Sequence, residues 1–160
     1  MRIDREDRAR RFLRGQASLL LSYDGVGKTA SAPMPRGYHV QHLRVRLGKG
    51  DDVFSVACSA LEGWQHLRLG WLGAWPAATP LREGEVIAVV AHVLGIWWLN
   101  ACRIVYVADG RRNSRRFGLA FGTLPSHVAS GEERFLIEST LRWGQVRFSF
   151  FRSFDTVHRT

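Results

Sequence analysis

From about residue 85 onward, apolar and polar positions alternate with a period of two, as strands buried on one face require. Phe117, Leu119 and Phe121 alternate with Gly118, Ala120 and Gly122, and beyond the connection TLPSHVASG the run from Glu132 to Thr140 alternates again. The pattern predicts strands over Glu85 to Leu94, Ile96 to Ala108, Arg116 to Leu124, Glu132 to Thr140 and Gln145 to Phe154. Their connections are short, so the sheet is expected to be an antiparallel meander. Upstream, Tyr38 to Leu47 alternates weakly and predicts one more strand. Val53, Phe54, Ala57, Ala60 and Leu61 recur at helical spacing behind Asp51 and Asp52, and Gly63 ends that helix.

The remaining stretches are less regular. Residues 4–14 compose either a short docked helix, with acids in its first turn, or a solvated leader. Ser22 to Gly37 reads as an irregular connection broken by glycines, Pro33 and Pro35. Trp64, Trp71 and Trp75, interleaved with glycines, read as an aromatic loop region covering a core. The division expected is a leader and connection over 1–36, followed by a single α+β domain over 37–160. Inside the strands, Gly118 and Gly122 leave a bare face, which weakens a strand unless a helix or ligand approaches it closely.

Composition narrows the class. At 160 residues with 46% hydrophobic and 11% aromatic content, the chain can bury a real core and is not a disordered sequence. A net charge of +9, almost all from arginine, favours polyanionic partners without choosing among nucleic acid, an anionic membrane surface and phosphorylated ligands. Cys58 and Cys102 sit in apolar runs and read as buried free thiols of a reducing compartment. The charged first 14 residues hold no secretory h-region and the longest apolar run, Val86 to Ala101, is too short to span a bilayer, so a cytoplasmic location is expected. The same reading gives no metal site and no cofactor.

Candidate chemistry is sparse. GVGKT, residues 25–29, resembles the end of a phosphate-binding loop, yet the required first glycine is Ser22 and two prolines follow Thr29. Asp109-Gly110 reads as a hairpin turn, not as the end of a magnesium-binding strand. His39 and His42 face opposite sides of their strand and do not make a metal pair. Glu132 and Glu133 likewise point to opposite faces, which argues against a paired-carboxylate site.

The string FGLAFGTLPSHVASGEERFLIE, with its lead-in RIVYVADG, resembles the signature of an uncharacterised family of bacterial and plant proteins catalogued as domain of unknown function nineteen-ninety. The resemblance extends upstream through SYDGVGKT and PRGYHVQHLRVRLGKG, and so covers most of the chain after about residue 20. Phe121 stands where the family pattern has tyrosine and Val128 where it has proline. The end FSFFRSFDTVHRT lacks the Ser-Arg-Pro step and the longer basic tail helix of such proteins. No reaction is implied by the resemblance. The order strand, helix, tryptophan-rich loop and five strands is similar to helix-grip domains of the START and Bet v 1 type: a curved antiparallel sheet packed on one or two helices.

Three functional readings follow. In the first, a non-enzymatic domain binds a small apolar or amphipathic ligand, with Trp98, Asn100 and Tyr106 on one face of a strand and His127 and Glu133 at the cavity mouth. In the second, Arg111, Arg112, Arg115 and Arg116 in the loop DGRRNSRRF bind nucleic acid or another anionic surface. In the third, which loop proximity alone supports, His127 and Glu133 act as acid and base.

Overall fold

The computed structural model describes residues 2–31 and 36–155, with side chains from residue 6 onward, so Pro33, Pro35 and residues 156–160 lie outside the described residues. Two helices, α1 (Arg2–Gln16) and α2 (Asp51–Glu62), accompany seven strands. These are β1 (Tyr38–Lys49), β2 (Leu72–Trp75), β3 (Val86–Val93), β4 (Ile96–Gly110), β5 (Arg116–Thr123), β6 (Gly131–Ser139) and β7 (Gln145–Asp155). They form one curved antiparallel sheet in the order β1-β7-β6-β5-β4-β3-β2. The meander runs from β2 to β7, and β1 then closes onto the last strand, Tyr38 opposite Asp155 and Lys49 opposite Gln145. The sheet grips α2, which is the helix-grip α+β arrangement.

The expected strands are all present, and one more appears inside the tryptophan-rich stretch. Leu72–Trp75 pairs with β3 from Leu72↔Ala91 to Trp75↔Ala88. At four residues it is too short for alternation to show. The β4–β5 turn comes later than Asp109-Gly110: both residues still pair, with Phe117 and Arg116, and the Ser114 amide closes the turn on the Gly110 carbonyl at 2.9 Å. The β3–β4 turn is Leu94-Gly95, at φ 50° and 78°. Two positive values in a two-residue connection match the right-handed strand twist. A leucine there costs roughly 1–2 kcal/mol relative to glycine.

The two sheet faces bury different things. The inner face puts Ile104, Phe117, Leu119, Phe121, Phe135 and Ile137 against Phe54, Cys58 and Leu61 of α2 and against Trp64 and Leu67 beyond it. Each such side chain, fully buried, contributes roughly 1.5–3 kcal/mol. On the outer face α1 is docked: its Leu13 joins Ala88, Ala101 and Leu124, with Phe12, Trp75 and Leu99 packed around them. The apolar positions of α1 are few because only Ala9 and Leu13 among its described residues are fully buried.

Past α1 the connection folds onto the outer face at β5 and β6. A side chain on Gly122 would place its Cβ 2.2 Å from the Tyr23 hydroxyl, so the bare strand face is the seat of the Tyr23 ring. The GVGKT stretch forms a 3-10 turn at Lys28–Ala30. Its Gly27 and Thr29 amides and the Thr29 hydroxyl are taken by the chain's own Glu132, which is 1% exposed. That carboxylate accepts from the Tyr23 hydroxyl at 2.6 Å, the Gly27 amide at 2.7 Å, the Thr29 amide at 3.1 Å and the Thr29 hydroxyl. The Thr29 hydroxyl also meets Tyr106 Oη at 2.8 Å, and Arg134 donates to the Thr29 carbonyl at 2.7 Å. Burial, followed by the bond to Glu132, raises the Tyr23 pKa far above the ordinary phenol value.

Candidate functional site

The five residues expected to line a cavity are separated by the fold. β4 carries a bulge between Ile104 and Tyr106, where the register against β5 shifts from Ile104↔Phe121 to Tyr106↔Ala120. One extra residue reverses the facing of everything after it. Tyr106 therefore lies on the outer face with Thr29, opposite to Asn100, Cys102 and Ile104. Trp98 shares the inner side with Asn100 but is 49% exposed. It sits where β4 runs on beyond β5, whose pairing ends at Cys102↔Thr123. Asn100 accepts from the Val128 amide at 3.3 Å and reaches the Val89 carbonyl at 3.5 Å, tying the β5–β6 connection to the sheet. In that connection His127 turns on its own loop: Nδ1 lies 3.0 Å from the amide nitrogen and 3.1 Å from the carbonyl of Ala129. Burial holds the His127 pKa below its ordinary value.

Glu133 is different. It projects from β6 onto the inner face between Phe121 of β5 and Arg152 of β7. Among the described residues it has no hydrogen-bond partner, and no ion pair closes between it and Arg152. Burial pushes its pKa up to about 7, with Arg152 opposing. Arg152 lays its guanidinium 5.0 Å from the Phe154 ring and keeps a buried, unpartnered Nε. One step further along the same face, Phe135 meets the ring of His66 at 4.3 Å between centroids. Both His66 nitrogens are buried without a partner, and burial pushes its pKa down to about 4. The expected acid/base pair does not form: nothing among the described residues joins His127 to Glu133.

His66 also borders a groove of about 350 Å³ between α2 and the β1–β7 side of the sheet, lined by Leu47, Ala57, Ala60, Leu61, Ile137 and Phe148. This side is incompletely covered. Leu43, Val45 and Leu47 of β1 remain 42–53% exposed, facing the same way as Phe148 and Phe150. Such an apolar groove, with His66 and Gln65 on its lining, can hold an apolar body and offer a polar head somewhere to bind. A hollow of about 330 Å³ lies on the outer face beside Tyr106, where Arg134 donates to the Thr29 carbonyl but keeps a buried Nε without a partner among the described residues, and Arg116 pairs with Glu138 at 3.0 Å.

Three of the four loop arginines serve the fold. Arg111 binds Asp109 at 2.5 Å and Glu62 at 2.9 Å and lies 4.4 Å over Phe117. Its hydrogen bonds draw the Asp109 pKa down. Arg115 pairs with Asp51 and lies 4.7 Å over Phe54. Together they tie both ends of α2 to the β4–β5 turn. Among the described residues Arg112 makes no such bond, so one of the four expected anion-binding arginines is uncommitted there. Among the described residues no group of three or more His, Cys, Asp or Glu could hold a metal ion. No described helix is long and apolar enough to cross a membrane.

A family model described as "Domain of unknown function (DUF1990)" matches residues 22–157. The chain belongs to this family. Among curated relatives, a UPF0548 protein of Dictyostelium discoideum is 37% identical over 108 residues, 66% of this chain and 50% of its own length. A UPF0548 protein of Arabidopsis thaliana is 31% identical over 105 residues, 64% of this chain and 51% of its own length. One of Deinococcus radiodurans is 33% identical over 128 residues, 73% and 63%. The chain spans about half the length of the first two of these relatives. Among solved structures, a START superfamily protein from Mycobacterium smegmatis aligns over 77% of this chain and 79% of its own, at 12% identity and a TM-score of 0.43. That likeness is too distant to carry a functional assignment.

Inside the DUF1990 domain, Arg152 and His66 were not singled out in the sequence. Arg152 had a usable signal, since it ends the alternating row Val146, Phe148, Phe150 on the buried side of a strand. His66 had none, because it lies in a 3-10 turn that periodicity does not reach.

Proposed function

We propose that the domain binds a small amphipathic ligand on the inner face of its sheet without transforming it. The apolar part lies in the groove between α2 and β1–β7, and the polar head reaches Glu133, Arg152 and His66. One observation carries the reading: an open apolar groove is bordered by His66, whose nitrogens, like Arg152 Nε on the same sheet face, are buried without a partner among the described residues, and Glu133 on that face is half-buried with no hydrogen bond among them. Buried polar groups are ordinarily paired, so unpaired ones on one face mark a place for another molecule. Glu133 belongs to the site expected from sequence; Trp98, Asn100, Tyr106 and His127 act elsewhere in this proposal.

The test starts with mass spectrometry of whatever the protein retains through high salt, released by denaturation, and continues with an anilinonaphthalene sulfonate as probe. A defined amphipath at near-stoichiometric amount is the expected result. Probe affinity should fall about fivefold as pH rises through about 7, because ionised Glu133 repels an anionic head. Glu133→Gln should abolish that dependence, and Leu47→Asp should weaken binding without lowering the melting temperature. An empty protein whose probe affinity ignores all three changes would overturn the proposal.

A further inference from the structure

The β3–β4 hairpin projects from the sheet. β2 accompanies β3 only as far as Ala91, and β5 leaves β4 after Cys102, so the segment from His92 to Trp97 stands beyond both neighbours. Apart from His92 its side chains are apolar: Val93 46%, Leu94 95%, Ile96 55% and Trp98 49% exposed, with Trp71 at 52% beside the ribbon, where its carbonyl accepts from the His92 amide at 2.7 Å. Trp97 is 54% exposed and stacks on His92 at 4.2 Å. At the apex, Leu94 occupies a left-handed position that Asn, Asp or Gly would fill without strain. The sequence thus sets its most exposed aliphatic side chain at a site where a polar residue would fit the turn better.

The shape argues for what covers it. A flat protein partner covers one side of a ribbon, whereas here alternate residues send apolar groups to both faces and off the end. A medium that surrounds the tip fits all of them. From Trp97 to the turn is about 7 Å at strand rise, within the roughly 5–10 Å depth at which interfacial elements sit in a bilayer. Charge fits too. α1 packs along the same hairpin, sharing a groove in which Arg8 and Ala9 meet Trp97 and Leu99, and it exposes Arg8, Arg10, Arg11 and Arg14 against Glu6 and Asp7. Arg68 lies exposed just before Leu69 and Trp71.

We infer that the β3–β4 hairpin tip is a membrane-surface attachment site, inserting Leu94, Ile96 and the tryptophans into the interface of a bilayer whose anionic lipids meet the arginines of α1. It requires no spanning segment, and it stands independently of the ligand groove.

The test is vesicle co-sedimentation of the full chain with phosphatidylcholine alone and with an equimolar mixture of phosphatidylcholine and phosphatidylglycerol. Binding to the anionic vesicles should be strong, weakened by salt, and accompanied by quenching of tryptophan fluorescence by brominated lipid. Leu94→Asn with Ile96→Thr, changes that suit the turn and the strand, should reduce binding about tenfold at an unchanged melting temperature. Arg10→Ser with Arg11→Ser should reduce it on anionic vesicles alone. Three outcomes would overturn the inference. They are a wild type that binds no vesicles, vesicle binding that the hairpin substitutions leave undiminished, and a wild type that sediments as a dimer which the hairpin substitutions dissociate without any vesicle binding.

Discussion

Glu132 and Glu133 are neighbours in the chain, and strand alternation sends them to opposite faces of the sheet. The outer carboxylate collects four hydrogen bonds from Tyr23, Gly27 and Thr29 and is sealed from solvent. The inner one collects none among the described residues and holds its proton up to about pH 7. Residue type and strand position are the same, and the environment makes one a structural fastening and the other a group held in reserve. The difference shows that burial alone does not mark a functional carboxylate. What marks it is burial without satisfied hydrogen-bonding capacity.

The sharpest way to break this comparison is Glu132→Ala. It strands four buried or half-buried donors, and at about 1 kcal/mol each the loss should be about 4 kcal/mol, seen as a melting temperature lower by about 10 °C. Amides of residues 22–30 should lose their protection from hydrogen exchange with it. A variant that melts like the wild type would dissolve the contrast.

Glu133→Gln should act in the opposite direction and depend on pH. The folded pKa of about 7 lies above the ordinary carboxylate value of 4.5, so the folded state binds the extra proton. Glu133 therefore costs nothing below about pH 4.5, and stability falls as pH rises toward 7, by up to about 3 kcal/mol. The glutamine variant should be the more stable protein at pH 8 and equal to the wild type at pH 4. Denaturant melts at the two pH values decide it.

His66→Phe tests the smallest effect, on the acid side. The folded pKa of about 4 lies below 6.5, so the unfolded chain takes up the proton first and stability drains away as pH falls from about 6.5 to 4. Removing the imidazole should save about 3 kcal/mol at pH 4 and change little at pH 8, unless a ligand bound by His66 is present.

Much of this fold is legible in the sequence because alternation is a local signal with a global meaning. The five strands from Val86 onward and the α2 stripe of Phe54 and Leu61 needed nothing else. The bare face of Gly122 announced a close neighbour, although not that the neighbour would be Tyr23. The site was harder to read. Tyr106 was lost to a single bulge, since the strict period of two that made the β4 reading so clear carries no sign of an inserted residue. Arg111 and Arg115 resembled an anion cluster because their partners, Glu62 and Asp51, are about fifty to sixty positions away. Pairing at that distance is written in the tertiary structure.

The closure of β1 onto β7 has a kinetic side. Every other pair in the sheet joins strands consecutive in the chain, and those hairpins can form early at small entropic cost. The closing seam instead joins Tyr38 to Asp155 and Lys49 to Gln145, and the Glu132 fastening spans a similar stretch of chain. Non-local contacts of this kind set the pace of folding, since nearly the whole chain must be gathered before they form. The seam is therefore expected to close last, and it borders the groove: the wall made by Leu47 and Phe148 exists only once β1 has paired with β7.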